Sequence, residues 1–477
     1  MVPMSGGRRF FLGMAALATL LPVAGCAAYH DRPLTRRGVH RRLAAPAWKA
    51  LEADARRIPH AQLPPVRLAP GRGLTPDEAA LIAVLINPEL RAQRARIALG
   101  RAQIIQAGIL PNPQLSSNMD FVTGGNTLDT YTAYGIGLSW NIRQLLTRGA
   151  RLASARADSR QINLDIAWRE WLVAQAARQD VYNLAAGQME LARAVRIQRR
   201  LRTNYLLVRR AVRLGQMTAL DLAAADTASQ VATGRVLRFR QVVAESLVAL
   251  RAILGLPPNA AVRVRRNLTL PSAVTLPPEE SLLRGVTARR LDFLALKQGY
   301  KSSQEQLRAA VLAQFPQVNV GFAQGSDNTN VHSAGFGVTV DLPIFDRNQG
   351  YIARDRATRR ILYDDYVARV FGARAAIARA YVNIQALAAQ IAAARQAIPA
   401  LRNLVNTYRV ALNHGNVDVL SYYTARINLE NSGIALIRLK GLLANNLIAL
   451  DLAAGEYLSP QAAFKAPRVA DSSETHE

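Results

Sequence analysis

From residue 150 to residue 213 the chain has no proline and one glycine, Gly187; from 351 to 398 it again has no proline and only Gly372. Few folds can absorb tracts of this kind. Apolar positions follow helical spacing, as in Ile162, Ile166, Leu172, Ala176 and Val181, beside charged Arg160, Asp165, Arg169 and Arg178. At about 1.5 Å per residue the first tract alone makes a helix of roughly 96 Å. That is far longer than a globular helix, and coiled-coil packing gives its apolar stripe a partner. Returning helices are expected near 218–254 and 417–454. Leu254-Gly255-Leu256-Pro257-Pro258 and Ala454-Gly455-Glu456 stop them in the same way. Composition agrees: 50% of residues are hydrophobic and only 6% aromatic, which suits packed helices better than a β-sandwich.

The long tracts belong to a duplicated unit. Asn87-Pro88-Glu89-Leu90 opens a helix that runs to Pro111-Asn112-Pro113, and Arg290-Leu291-Asp292-Phe293 opens one that runs to Phe315-Pro316. Pro88 and Leu291 stand 203 positions apart, and so do Pro113 and Pro316. A constant offset over such a stretch marks a repeat. Both copies then alternate with period two. Leu115, Ser117, Met119 and Phe121 share a face, as do Tyr134, Ile136, Leu138, Trp140 and Ile142 after a polar loop at 123–130. Val318, Val320 and Phe322 repeat the pattern, then Ala334, Phe336, Val338, Val340 and Leu342 after a loop at 325–331. The intervening positions are polar or small. Strands of about 9–11 residues with one apolar and one polar face suit a barrel with lipid outside and water inside. Two hairpins cannot close a barrel, and an open edge in lipid is forbidden, so several chains must share one.

The N-terminus reads as an export signal. Arg8-Arg9 precedes an apolar run from Phe10 to Ala24, too short for a retained anchor. Val23-Ala24-Gly25-Cys26 looks like a lipobox, with Cys26, the single cysteine, as the acylated residue. A plain signal peptide with a chance cysteine is the alternative. Arg8-Arg9-Phe10-Phe11-Leu12 also resembles a twin-arginine signal, but a protein inserting into the outer membrane favours the general route. No other stretch has some 18 consecutive apolar residues. The expected organisation is a lipoprotein signal peptide at 1–25, a proline- and arginine-rich lipid-anchored extension at 26–73 lying along the protein surface, repeats at 74–270 and 271–460, and a tail at 461–477.

The formal charge of +27 raises nucleic acid as a partner. Arginine is spread along nearly the whole chain, and no zinc-finger, RRM or KH signature occurs, so a solvated basic helix surface is the reading instead. The six histidines, His30, His40, His60, His332, His414 and His476, have no metal-ligand spacing. No nucleophile–base set, phosphate loop or carboxylate pair is present, so neither an enzyme nor a cofactor is expected.

Asn87-Pro88-Glu89-Leu90, Leu110-Pro111-Asn112-Pro113 and Leu342-Pro343-Ile344-Phe345-Asp346-Arg347-Asn348-Gln349-Gly350 carry a resemblance to the TolC-type outer-membrane factors over about residues 74–460. The last motif is most similar to the lipoprotein branch that works with RND pumps. The resemblance implies a mainly α fold with a small β part. It implies a homotrimer whose α-barrel continues into a shared 12-stranded β-barrel in the outer membrane. It implies an efflux exit duct that meets a periplasmic adaptor and an inner-membrane RND pump. A structural or adhesive periplasmic coiled-coil lipoprotein without a pore is the alternative. Arg143 stands where the second copy has Pro343, so the first strand-to-helix bend should differ.

The turns between long helices are the expected functional ends. They read Arg213-Leu214-Gly215-Gln216-Met217-Thr218 and Leu412-Asn413-His414-Gly415-Asn416-Val417-Asp418, with the second glycine shifted relative to the repeat. The resemblance implies adaptor contact at Leu214, Gly215, Leu412 and Gly415. It also implies a periplasmic gate, with Asp418 as an axial carboxylate and Ser421 where a second aspartate would fall. His414 takes the place of a latching arginine and, when protonated, would pair with Asp221. The competing reading of Asp418 is a plain helix cap.

Overall fold

A computed structural model of the chain describes residues 28–44, 47–57, 72–125 and 129–458. The signal segment, Cys26 and the tail from 461 lie outside the described residues. The chain divides into two units. In the first, ending at Ala44, the described element is helix α1 (Arg36–Leu43), whose cap Thr35 accepts through Oγ1 from the Gly38 amide at 3.1 Å. All else belongs to the second unit.

The second unit begins with a correction. Its first helix, α2 (Trp48–Arg57), falls in the stretch read as a surface tether, yet it places Leu51 and Ala55 in the core. Trp48, Leu51 and Ala55 recur at three and four, so one apolar stripe packs against Ala79, Ile82, Leu184 and Leu254.

Each repeat then builds the same series. In the first, α3 (Pro76–Ile86) starts with a full capping box: the Thr75 hydroxyl accepts from the Glu78 amide at 3.2 Å and the Glu78 carboxylate accepts from the Thr75 amide at 2.8 Å. Asn87 caps α4 (Pro88–Gly108), and Pro88 occupies the first helical position, where a missing N–H costs nothing. The hairpin β1 (Gln114–Asp120) and β2 (Ala133–Asn141) leads into α5 (Arg143–Arg213), and α6 (Ala219–Ile253) returns. In the second repeat α7 (Glu279–Arg289), α8 (Leu291–Leu312), β3 (Gln317–Ser326), β4 (His332–Asp341), α9 (Gln349–Asn413) and α10 (Val419–Ala454) follow in the same order. The 71 residues of α5 extend over roughly 105 Å. Helix α9 passes through Pro399, where sequence alone marks a break.

The returning helices end as the glycines require. Gly255 and Gly455 have φ of +69° and +68°, and the Leu256 and Glu456 amides donate back to Arg251 and Asp451. Each glycine also rests on the cap of a shorter helix. A Cβ on Gly255 would stand 2.7 Å from Pro88 Cδ, and one on Gly455 would stand 2.6 Å from Arg290 Cγ. Asn87 donates through Nδ2 to the Ile253 carbonyl at 2.9 Å, and Arg290 donates through Nη1 to the Ala453 carbonyl at 3.2 Å. The Asn-Pro motif is thus a joint between a cap and a helix end, and it is built twice.

The two repeats are stitched together by charge as well as packing. Arg178 of α5 is buried and donates to Asp451 of α10 at 3.0 Å and to Gln175 at 2.9 Å, with Asp77 at 3.2 Å and the Tyr457 ring 4.5 Å away. Burial pushes the Asp451 carboxyl up, against the pull of Arg178. Helix α10 is long and apolar enough to cross a membrane by composition. It packs along α9 and α5, so its apolar stripe serves the coiled coil. Replacing Arg178 with Ala leaves Asp451 uncompensated, and the expected loss is about 3–5 kcal/mol. Unfolding of the detergent-solubilised protein checks this, and Arg178→Met should be milder than Arg178→Ala.

Candidate membrane sheet and tunnel tip

The four strands form one antiparallel sheet in the order β1-β2-β3-β4, with β2 and β3 joining the repeats. Register fixes the faces. Leu115 pairs with Leu138, Leu138 with Phe322, and Phe322 with Phe336; Trp140 pairs with Val320 and Val320 with Val338. These positions make one apolar face. Ser116, Gly137 and Ala323, then Ser139, Gly321 and Gly337, pair across the other. The apolar face is open: Phe336 is 90% exposed. A soluble sheet buries that face, so lipid is the medium it fits. Trp140 donates through Nε1 to the Pro111 carbonyl at 2.7 Å, holding its ring at the border of sheet and helices. β1 and β4 are each paired on one side only. The strands have 7, 9, 10 and 10 residues, so β1 is shorter than expected and Phe121 lies beyond it. β3 runs on to Ser326, into the stretch expected as loop.

The two bends below the sheet differ, as Arg143 against Pro343 indicated. In the first, Ile142 alone separates β2 from α5, and Arg143 donates to Gln317 Oε1 at 3.0 Å. In the second, Leu342–Asn348 intervenes, with Asn348 at φ +61° and its Nδ2 donating to the Ala310 carbonyl at 2.7 Å. This loop leaves Leu342, Ile344 and Phe345 exposed.

At the far end the tips are equivalent, which corrects the expectation of a shifted glycine. α5 and α9 have 71 and 65 residues, and the longer second bend offsets the difference. Gly215 and Gly415 have φ of +71° and +73°. The Gln216 and Asn416 amides both donate at 2.9 Å, to Ala211 and Ala411. Leu214 therefore matches His414, both C-caps. Leu214 is 62% exposed, whereas Leu412 packs into the tip core with Val208, Val405 and Tyr423. Leu220 and Leu420, in the first turns of the returning helices, are 79% and 61% exposed; no periodicity argument had singled them out.

The gate candidates are all at this tip. Asp418 caps α10: its Oδ1 accepts from the Ser421 amide and its Oδ2 from the Ser421 hydroxyl, both at 2.7 Å. These bonds, the amide first, hold its carboxyl below the usual carboxylate range. Asp221 caps α6 with Thr218, accepting through Oδ2 from its amide at 2.9 Å and its hydroxyl at 2.7 Å. Within one chain His414 and Asp221 form no ion pair among the described residues. Among those residues no cluster of His, Cys, Asp and Glu could hold a metal.

Residues 282–456 match the family model of the outer membrane efflux proteins. The structure is similar to CusC, at TM-score 0.66 and 20% identity over 84% of this chain and 97% of that one. It is also similar to the outer membrane protein VceC of Vibrio cholerae (0.67, 16%, 80% and 97%) and to the outer membrane channel CmeC of Campylobacter jejuni (0.65, 14%, 92% and 95%). Its fold is that of these outer-membrane channels, and residues 282–456 carry the match to the efflux-protein family. No curated protein sequence matches the chain.

The capping role of Asp418 gives a clean expectation. A depressed folded-state pKa means its contribution is present above the unfolded value near 4 and is lost as pH falls through the folded one. Amide exchange at Ser421 should therefore quicken in Asp418→Ala at pH 7 and stay slow in Asp418→Asn, which keeps the cap without the charge.

Proposed function

We propose that three copies of this outer-membrane factor form the exit duct of a tripartite efflux system. Four strands from each chain make a 12-stranded barrel in the outer membrane, and the long helices make a hollow periplasmic tunnel. The observation that carries this reading is the sheet with one exposed apolar face and two unpaired edges. Lipid requires the first and forbids the second, so the edges pair between copies.

The tips are where a periplasmic adaptor docks, with an RND-type pump behind it. Leu214, Gly215, Gly415, Leu220 and Leu420 supply an exposed rim, while Leu412 supports it from inside. Asp418 faces the axis as a gate carboxylate while capping its helix, and Ser421 holds it where a second aspartate would sit. In the closed trimer His414 of one copy pairs with Asp221, and the latch loosens as pH rises. The signal at 1–25 is removed, Cys26 is acylated, and residues 26–73 anchor repeats spanning 74–270 and 271–460 to the membrane.

Two substitutions one position apart test the membrane assignment. Val338→Arg puts a charge on the lipid face, at about 2–4 kcal/mol near the midplane. Thr339→Arg puts it in the lumen. Outer-membrane fractions should lose the trimer with the first and keep it with the second; equal outcomes would overturn the reading. Intact mass of the mature N-terminus should show an acylated cysteine that Cys26→Ser removes.

A further inference from the structure

On the helices that descend to the tip, long stretches carry arginine with no carboxylate to balance it. After Glu190 no carboxylate occurs until Asp221, and the 30 residues between hold eight arginines. After Asp365 none occurs until Asp418, and those 52 residues hold six more. Neither run contains lysine. The first run is the lower part of α5 and the second is most of α9. The carboxylates that could balance them sit on the returning helices and are partly engaged: Glu430 accepts from Arg193 at 3.1 Å, and Asp451 pairs with Arg178.

The remaining arginines of these two runs form no ion pair among the described residues. The seven from Arg196 to Arg213 are exposed and form no ion pair among the described residues, and the same holds for Arg395, Arg402 and Arg409. Lys440 of α10 lies near Arg395, and its ammonium is depressed by burial and then by that like charge. On α5 the buried side is marked by Ile197, Leu201 and Val208. At 100° per residue, Arg202, Arg209 and Arg213 form one stripe away from it, and Arg199 and Arg210 form a second beside the first.

Unpaired guanidinium groups cannot be buried between protomers without a large penalty, so both stripes border water. The wall is a single helix thick, about 10–12 Å, close to the Debye length of about 8 Å at physiological ionic strength. Arginines on either surface therefore add to the potential in the lumen, and those turned inward add most. We propose that the periplasmic half of the duct is an electropositive conduit that favours anionic solutes over cations, carried by the unpaired arginines of α5 and α9. This rests on the duct reading above. Asp221 and Asp418 at the tip oppose it, but ten exposed arginines per chain outnumber them.

Ion selectivity of the purified full-length trimer in planar bilayers under a KCl gradient tests the proposal. The reversal potential should take the sign of chloride permeation at about 0.1 M salt and shrink at about 1 M, where screening is severe. In the variants Arg202→Gln/Arg209→Gln/Arg213→Gln and Arg199→Gln/Arg210→Gln, conductance steps should persist, and the stripe that faces the lumen should shift the potential toward that of potassium. Cation selectivity of the wild type, or two variants that both leave its selectivity unchanged, overturns the proposal. A trimer that gives no conductance steps sinks the duct reading itself, and this inference with it.

Discussion

The backbone at the two edges of the sheet governs the rest of the molecule. β1 and β4 each present a row of N–H and C=O groups with no strand partner among the described residues. In water such edges are a hazard; in hydrocarbon each unpaired group costs several kcal/mol. The apolar side chains on one face leave no aqueous solution to the problem. The chain is thus an incomplete object by itself, and duplication supplies the internal half of the closure through the β2–β3 pair. Below the sheet the constraint relaxes. Helices satisfy their own backbones, so the wall there can be a single layer held by apolar stripes and a few buried ion pairs such as Arg178 with Asp451.

Much of this was legible in the sequence because it follows from periodicity and punctuation. The period of two located the strands, and the absence of proline located α5 and the upper part of α9. Gly255 and Gly455 marked helix ends because only glycine takes their φ without strain. The 203-residue offset exposed the repeat. Other features depend on partners far away in the chain and stayed out of reach. Nothing local distinguishes Arg178 from its exposed neighbours on the same helix. Leu51 and Ala55 sit in a proline-rich stretch whose composition suggests a loose tether, and only the core they enter gives them a role. Pro399 reads as a break, yet the tertiary packing of a long helix carries it through.

At the tip the sequence placed the right segment but misaligned its parts. The reading grouped Leu214 and Leu412 together as tip contacts, whereas geometry matches Leu214 to His414 and sends Leu412 inward. The shift has a simple origin: the repeat offset falls from 203 at β1 and β3 to 202 where β2 and β4 pair with them, and to 200 at the tip glycines beyond the unequal bends. Asp418 serves as a cap whatever else it does, so a charged tip residue and a helix start share one side chain.

The unequal bends act as a length correction. The seven residues Leu342–Asn348 replace a single residue in the first copy, and α9 is shorter than α5 by the same six residues, so the strand end and the tip glycine are equally far apart along the chain in both copies. Without that compensation the two copies would differ by about 9 Å of helix, roughly one and two-thirds turns. With it the two tips carry the same backbone turn, and backbone shape there no longer distinguishes one repeat from the other. What tells the two tips apart must then lie in side chains alone, in Leu214 against His414.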